Sequence, residues 1–277
     1  MGAVRLRTLR KAIADLLAQS STPEARAAAL DALLAQHANR AYRPGAQADA
    51  DEPAYHTAAV VVPEVWRGLR QALPPDPAAR LALADALWAR AVREPRLLAA
   101  RVLSQVPAPP VDPVFRRFWA WLRVRDHRVR AAVLEHAAMP LTAVGEAFLQ
   151  RLTPHLPPQA TDDEAAAALQ AVARLMRNPA FDNTPVLFRL LRAGLQRPDP
   201  ALRPEWVPVL RGMLQRWPAE ALPFWRRLVW ETADQAGVLW LLRRVQPTAP
   251  EPWRARLAAL LDEARAARRA TDAEPTP

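Results

Sequence analysis

The residue types that could do chemistry are few and poorly spaced for most reactions. Ser20, Ser21 and Ser104 are the only serines, and none stands in the G-x-S-x-G turn that exposes a nucleophile. His37, His56, His127, His136 and His155 are well separated, no H-E-x-x-H occurs, and there is no cysteine. The usual zinc and thiolate arrangements are therefore missing. No two glycines have G-x-G spacing, and no glycine precedes Lys11, the only lysine, in a phosphate loop. This argues against hydrolases, dehydrogenases, nucleotide hydrolases and common metalloenzymes. No cofactor and no metal are expected.

What the spacing does offer is cations interleaved with aromatic rings. From Phe115 to Arg130 the chain carries Arg116, Arg117, Arg123, Arg125, Arg128 and Arg130 against Asp126 alone, six minus one or a local +5. Phe115, Phe118, Trp119 and Trp121 lie among them. Basic residues with interleaved aromatics suit a phosphate backbone and stacked bases. Trp119 and Trp121 are two apart and do not share a helix face, so at least one is expected to be partly exposed or in a groove. The candidate DNA-binding set is thus Arg116, Arg117, Trp119, Trp121, Arg123, Arg125, Arg128 and Arg130. A second concentration is Arg189, Arg192, Arg197, Arg203, Arg211 and Arg216, opposed by Asp199 and Glu205. For any single arginine a solvated outer face is the simpler reading. The net charge of +10 and pI near 11.3 carry the same ambiguity, because arginine stands almost wherever a surface cation is wanted.

These residues must be positioned by helices. Glycine is scarce at 7 and proline abundant at 29. Scarce glycine argues against hairpin-rich sheet. Most prolines fall between apolar-periodic segments, where the first turn of a helix accepts them without losing a hydrogen bond. Leu6, Leu9, Ile13, Leu16 and Leu17 form one stripe of a first helix over about Val4–Gln19. Ser21 and Thr22 before Pro23 cap a second, running to about His37. Twelve more segments follow between Glu64 and Arg269, including Pro113–Arg125 and His127–Ala138 around the basic stretch. Leu141–His155 reads as one helix. Residues Asn39 to Val62 break the pattern and are expected to form a long, exposed, mobile loop. Thr271 to Pro277 read as a disordered tail.

Loose internal echoes recur. Pro63-Glu64-Val65-Trp66, Pro204-Glu205-Trp206 and Glu251-Pro252-Trp253 each put proline, an acid and a tryptophan at a helix start before a leucine stripe. Trp66, Trp88, Trp206 and Trp253 hold core-like positions. Short amphipathic helices repeating across short joints describe an α-solenoid, read here as one domain over 1–270. No segment is apolar enough to span a membrane, and Met1 to Lys11 lacks the apolar core of a secretory signal. A cytoplasmic monomer is expected.

One region resembles a known family. Val62-Pro63 leads a helix with Trp66 and Arg67. Ala84-Asp85-Ala86-Leu87-Trp88 and then Arg93-Glu94-Pro95-Arg96-Leu97-Leu98-Ala99-Ala100 follow in order. Over Tyr55–Ala100, about a sixth of the chain, this resembles the HEAT-like DNA alkylation repair family, the bacterial alkylpurine DNA glycosylases. The fold it implies is all-α, a HEAT-like α-solenoid of antiparallel helix pairs in a right-handed superhelix. The resemblance further implies a basic concave face that grips duplex DNA and excision of alkylated purines, with a carboxylate stabilising the developing cation on the sugar. The family's Trp-Trp-Asp-x-x-x-Asp pattern is absent here, and Val133 falls near the expected acid. Asp126 and Glu135 are the nearby carboxylates and so the catalytic candidates if the chain is an active glycosylase, and neither matches in register. The leading expectation is a DNA-binding member of this group, with or without excision activity, whose partner is duplex DNA, damaged or intact. The alternative is a non-catalytic scaffold for a protein partner, the commonest use of a solenoid.

Overall fold

A computed structural model describes residues 5–39, 41 and 53–273, with side chains to 270. The described residues are all helix and connecting segments, without strands. In chain order the helices are α1 Leu6–Gln19, α2 Pro23–Gln36, α3 Val61–Gln71, α4 Pro77–Trp88, α5 Arg93–Leu103, α6 Val111–Leu122 and α7 His127–Ala132. Next come α8 Met139–Ala143, α9 Gly145–Leu152, α10 Asp162–Leu175, α11 Thr184–Leu195, α12 Arg203–Arg216, α13 Pro218–Glu231, α14 Gln235–Val245 and α15 Trp253–Ala273. Among the described residues no helix is long and apolar enough to cross a membrane.

The starts of these helices follow from capping chemistry. Thr22 accepts from the Ala25 amide at 3.1 Å with Pro23 in the first turn, and Asp76 accepts from the amides of Ala78 and Ala79 with Pro77 behind it. Pro140, Pro185, Pro204 and Pro218 mark such starts too. Pro208 and Pro223 are exceptions, lying inside α12 and α13.

The chain forms two compact units, Met1–Val144 and Gly145–Pro277. The even run of Pro-marked helices in the sequence does not announce this division. In both units helices two apart in sequence pack on one another. In the first unit α1 packs on α3, α3 on α5 and α5 on α7, while α2 packs on α4. In the second, α10, α12 and α14 form one row, and α11, α13 and α15 the other. Leucine and alanine stripes fill the space between rows; Leu30, Leu34, Leu69, Leu87, Leu98 and Phe118 are fully buried in the first unit.

Three expectations are corrected. The segment Leu141–His155 is two helices and a short 3-10 turn, broken at Val144. The helix expected over His127–Ala138 widens after Ala132 into a π turn, Val133–Ala137, in which the Ala138 amide reaches back to the Val133 carbonyl. The last helix continues through Thr271 to Ala273; residues 274–277 of the expected tail lie outside the described residues.

The long loop differs from expectation in its returning arm, 53–60, which is sewn to the helices. The Tyr55 hydroxyl donates to Asp31 at 2.7 Å and its amide to Glu94 at 3.0 Å; the Arg93 amide donates to the Pro53 carbonyl at 2.9 Å. Burial, then the hydrogen bond to Asp31, pushes the Tyr55 hydroxyl up to about 12. The remainder of that loop, 40 and 42–52, lies outside the described residues.

Candidate nucleic-acid interface

The basic stretch begins on α6 and turns onto α7. On α6 the apolar positions Val114, Phe115, Phe118, Trp119, Trp121 and Leu122 face inward. Asp112, Arg116, Ala120 and Arg123 fall on the opposite, exposed stripe. The joint then exposes Arg125, and the first turn of α7 exposes Arg128. Arg116, Arg123, Arg125 and Arg128 are thus exposed in succession along α6, the joint and the first turn of α7.

The only acid inside this stretch does not offset them. Asp126 is fully buried and caps α7, accepting from the amides of Arg128 at 2.8 Å and Val129 at 3.2 Å. Its other oxygen accepts from Nε of Arg93 at 2.6 Å, and Arg93 is buried as well. Burial pushes this carboxyl up; the hydrogen bond from Arg93, the two amides and the Arg93 charge outweigh it and hold the carboxyl below the usual range. Asp126 is a carboxylate with its charge spent inside the protein. Asp126, one of the two catalytic candidates, therefore has no solvent-facing surface. Glu135 is exposed on the π turn.

Two of the remaining arginines are occupied. Arg117 pairs with Asp85 of α4 at 2.5 Å and donates to the Pro113 carbonyl. Arg130 donates to the Val124 carbonyl at 2.9 Å, closing the joint. Arg116, Arg125 and Arg128 have no ion-pair partner among the described residues.

Both tryptophans of the candidate set are buried, which corrects the expectation that one of them is partly exposed or in a groove. Trp119 is 6% and Trp121 5% exposed. Residues two apart on a helix need two covers, and both exist. Trp121 stacks on Trp88 of α4 with centroids 4.4 Å apart, and Arg96 of α5 lies over Trp88 at 4.6 Å. Trp119 stacks on Phe115, and Arg123 reaches over its ring at 5.9 Å. These rings hold α4, α5 and α6 together and offer no open stacking face. Among the other core-like tryptophans, Trp206 is buried at 1% exposed, while Trp66, Trp88 and Trp253 are half-buried.

The second arginine concentration is scattered by the fold. Arg192 pairs with Glu231, and Arg203 with Asp234 at 3.6 Å. Arg216 donates to the carbonyls of Met176, Asn178, Pro179 and Phe181, tying the end of α10 and the turn after it to α12. Burial pushes this guanidinium below its ordinary value. Arg189, Arg197 and Arg211 are exposed.

The residues that sequence reasoning missed are Trp240, Arg243 and Arg244 on α14. In Gly237–Val245 the tryptophan sits inside an apolar run and reads as core. It projects from the face opposite Val238, Leu241, Leu242 and Val245 and is 42% exposed.

Between α1 and α3 lies an apolar groove of about 570 Å³ floored by Ile13, Leu17 and Gly68. The buried Glu64 carboxylate at its end accepts from Arg10 at 2.9 Å and Arg67 at 2.7 Å. Among the described residues no group of three His, Asp or Glu side chains could hold a metal ion. No family model, curated protein or solved structure matches the chain.

Proposed function

We propose that this chain binds duplex DNA through its phosphate backbone, as a helical-repeat protein of the type its sequence resembles, and does so without base excision. The observation that carries this reading is the run of exposed arginines along α6, the joint and α7. Arg116, Arg125 and Arg128 are exposed and have no ion-pair partner among the described residues, and the single acid between Phe115 and Arg130 is buried against Arg93. Three exposed guanidinium groups without an ion-pair partner among the described residues suit a polyanion, and phosphate contacts need no sequence-reading side chain. Binding without excision is supported by Asp126, which is sealed from solvent, and by Trp119 and Trp121, which are packed in the core; Glu135, exposed on the π turn, is the carboxylate left to test.

The test is fluorescence anisotropy with a short duplex. Arg125→Ala with Arg128→Ala weakens binding about tenfold or more while leaving the melting temperature in place. Unchanged affinity in that variant removes the assignment.

A second reading, a scaffold for a protein partner, is favoured by the groove between α1 and α3. Its small-residue walls, Ala14, Ala18 and Ala72, leave room for a partner's apolar side chain. Retention of a protein partner that is lost on Ala14→Arg would favour it.

A further inference from the structure

We infer that the outer face of α12 and α14 is a platform for single-stranded nucleic acid, with Trp240 stacking an unpaired base and Arg211, Arg243 and Arg244 contacting phosphates. This rests on the reading of the chain's positive charge as a nucleic-acid footprint, but it uses none of the α6–α7 arginines.

The geometry starts from a fixed corner. Asp234 caps α14 by accepting the Gly237 amide at 2.9 Å. A Cβ at Gly237 would fall 2.1 Å from an oxygen of that carboxylate, so only glycine leaves the cap its place. Asp234 in turn holds Arg203, the first residue of α12, at 3.6 Å, and the Arg203 guanidinium lies over the Trp240 ring at 5.7 Å. The starts of α12 and α14 meet at this corner, and the two helices pack side by side. Arg211 lies two turns beyond Arg203 along α12. Arg243 and Arg244 lie one turn beyond Trp240 along α14. All three are exposed and have no ion-pair partner among the described residues.

A comparison within the same unit shows what is particular about this face. Trp230 on α13 is also exposed, at 45%. Its neighbours Arg226 and Glu231 are ion-paired, to Glu263 and Arg192, which leaves Arg227 as the one nearby cation without an ion-pair partner among the described residues, against three around Trp240. Trp240 stands among cations that remain available. The dipole of α14 gives a reason for basic residues in its last turn, but none for a large ring in water one turn earlier, nor for Arg211 on the neighbouring helix. An aromatic ring beside guanidinium groups matches a strand whose bases are free to stack, because every base has a π-face and every nucleotide a phosphate. A duplex hides its bases and gains nothing from the ring.

The experiment is anisotropy with labelled oligo-dT of about twenty nucleotides, with the duplex run alongside and folding checked by circular dichroism melts. Trp240→Ala is expected to weaken oligo-dT binding about tenfold, the loss of roughly one stacked base, and Trp240→Phe to recover most of it. Arg211→Ala with Arg244→Ala is expected to lower the log–log salt slope by about 1.4, near 0.7 per single-strand phosphate. Oligo-dT binding that survives in the Arg125→Ala, Arg128→Ala chain, or that occurs in a chain unable to bind duplex, supports this platform even as the duplex reading fails. No oligo-dT binding at low salt overturns the platform and leaves duplex binding untouched. Equal affinity in Trp240→Ala also overturns it. So does loss of polyglutamate and oligo-dT alike in the arginine variant, with Trp240→Ala silent, since the face is then a plain polyanion or acidic-protein surface.

Discussion

Arg93 donates from Nε to Asp126 at 2.6 Å across the joint that brings α5 to α7, with both side chains withdrawn from water. Each partner also serves the backbone. The Arg93 amide holds the Pro53 carbonyl, and the Asp126 carboxylate caps α7. One pair thus fixes the returning arm of the long segment, the start of α5 and the start of α7, which carries Arg128.

Breaking this pair leaves a buried charge without a partner. Asp126→Ala and Arg93→Ala should each lower stability by about 3–5 kcal/mol, and the double variant by less than the sum. Urea denaturation of the four proteins measures this. Additive losses would mean the two side chains do not act together.

The same pair predicts acid sensitivity. The Asp126 carboxyl is held below its ordinary value in the folded chain, so its stabilisation is complete above the unfolded pKa of about 3.9 and is lost as pH falls through the folded value. The stability difference between the parent and Asp126→Asn should be constant near neutrality and shrink below about pH 4. A difference that grows with acid would reverse the sign of the shift.

Much of this arrangement was legible in the sequence. Capping signals such as Thr22-Pro23 and Asp76-Pro77 set the helix starts, and the leucine stripes set the buried faces. The basic stretch was visible as a run of arginines. Invisible were the covers. Trp121 is buried because Trp88, thirty-three positions earlier, stacks on it, and Asp126 is sealed because Arg93 reaches it from α5. Such pairings depend on which helices become neighbours, which periodicity within one helix does not encode. Trp240 was hidden for the converse reason: apolar neighbours in sequence do not reveal which side of α14 meets the core.

Ala91, between α4 and α5, adopts φ 54°, where an L side chain is strained and glycine is not. Ala91→Gly should raise stability by about 0.5–1 kcal/mol. A lower melting temperature in that variant would show that unfolded-state entropy outweighs the relief.

At Gly68, α3 approaches α1 so closely that a Cβ would come within 2.5 Å of Cγ2 of Ile13. That methyl sits on a stiff, buried, β-branched side chain that would have to shift. Gly68→Ala should cost about 1–3 kcal/mol, and adding Ile13→Ala should recover less than it loses in burial. A neutral Gly68→Ala would mean that α1 slides freely on α3.

The duplex-binding claim is tested most directly by the salt dependence of duplex affinity in the parent chain and in Arg125→Ala, Arg128→Ala. The expected result is binding that weakens steeply with salt, and a log–log slope shallower by about 1.8 in the variant, near 0.9 for each phosphate contact removed. No duplex binding at the lowest salt, or identical slope and affinity in the two proteins, would contradict it.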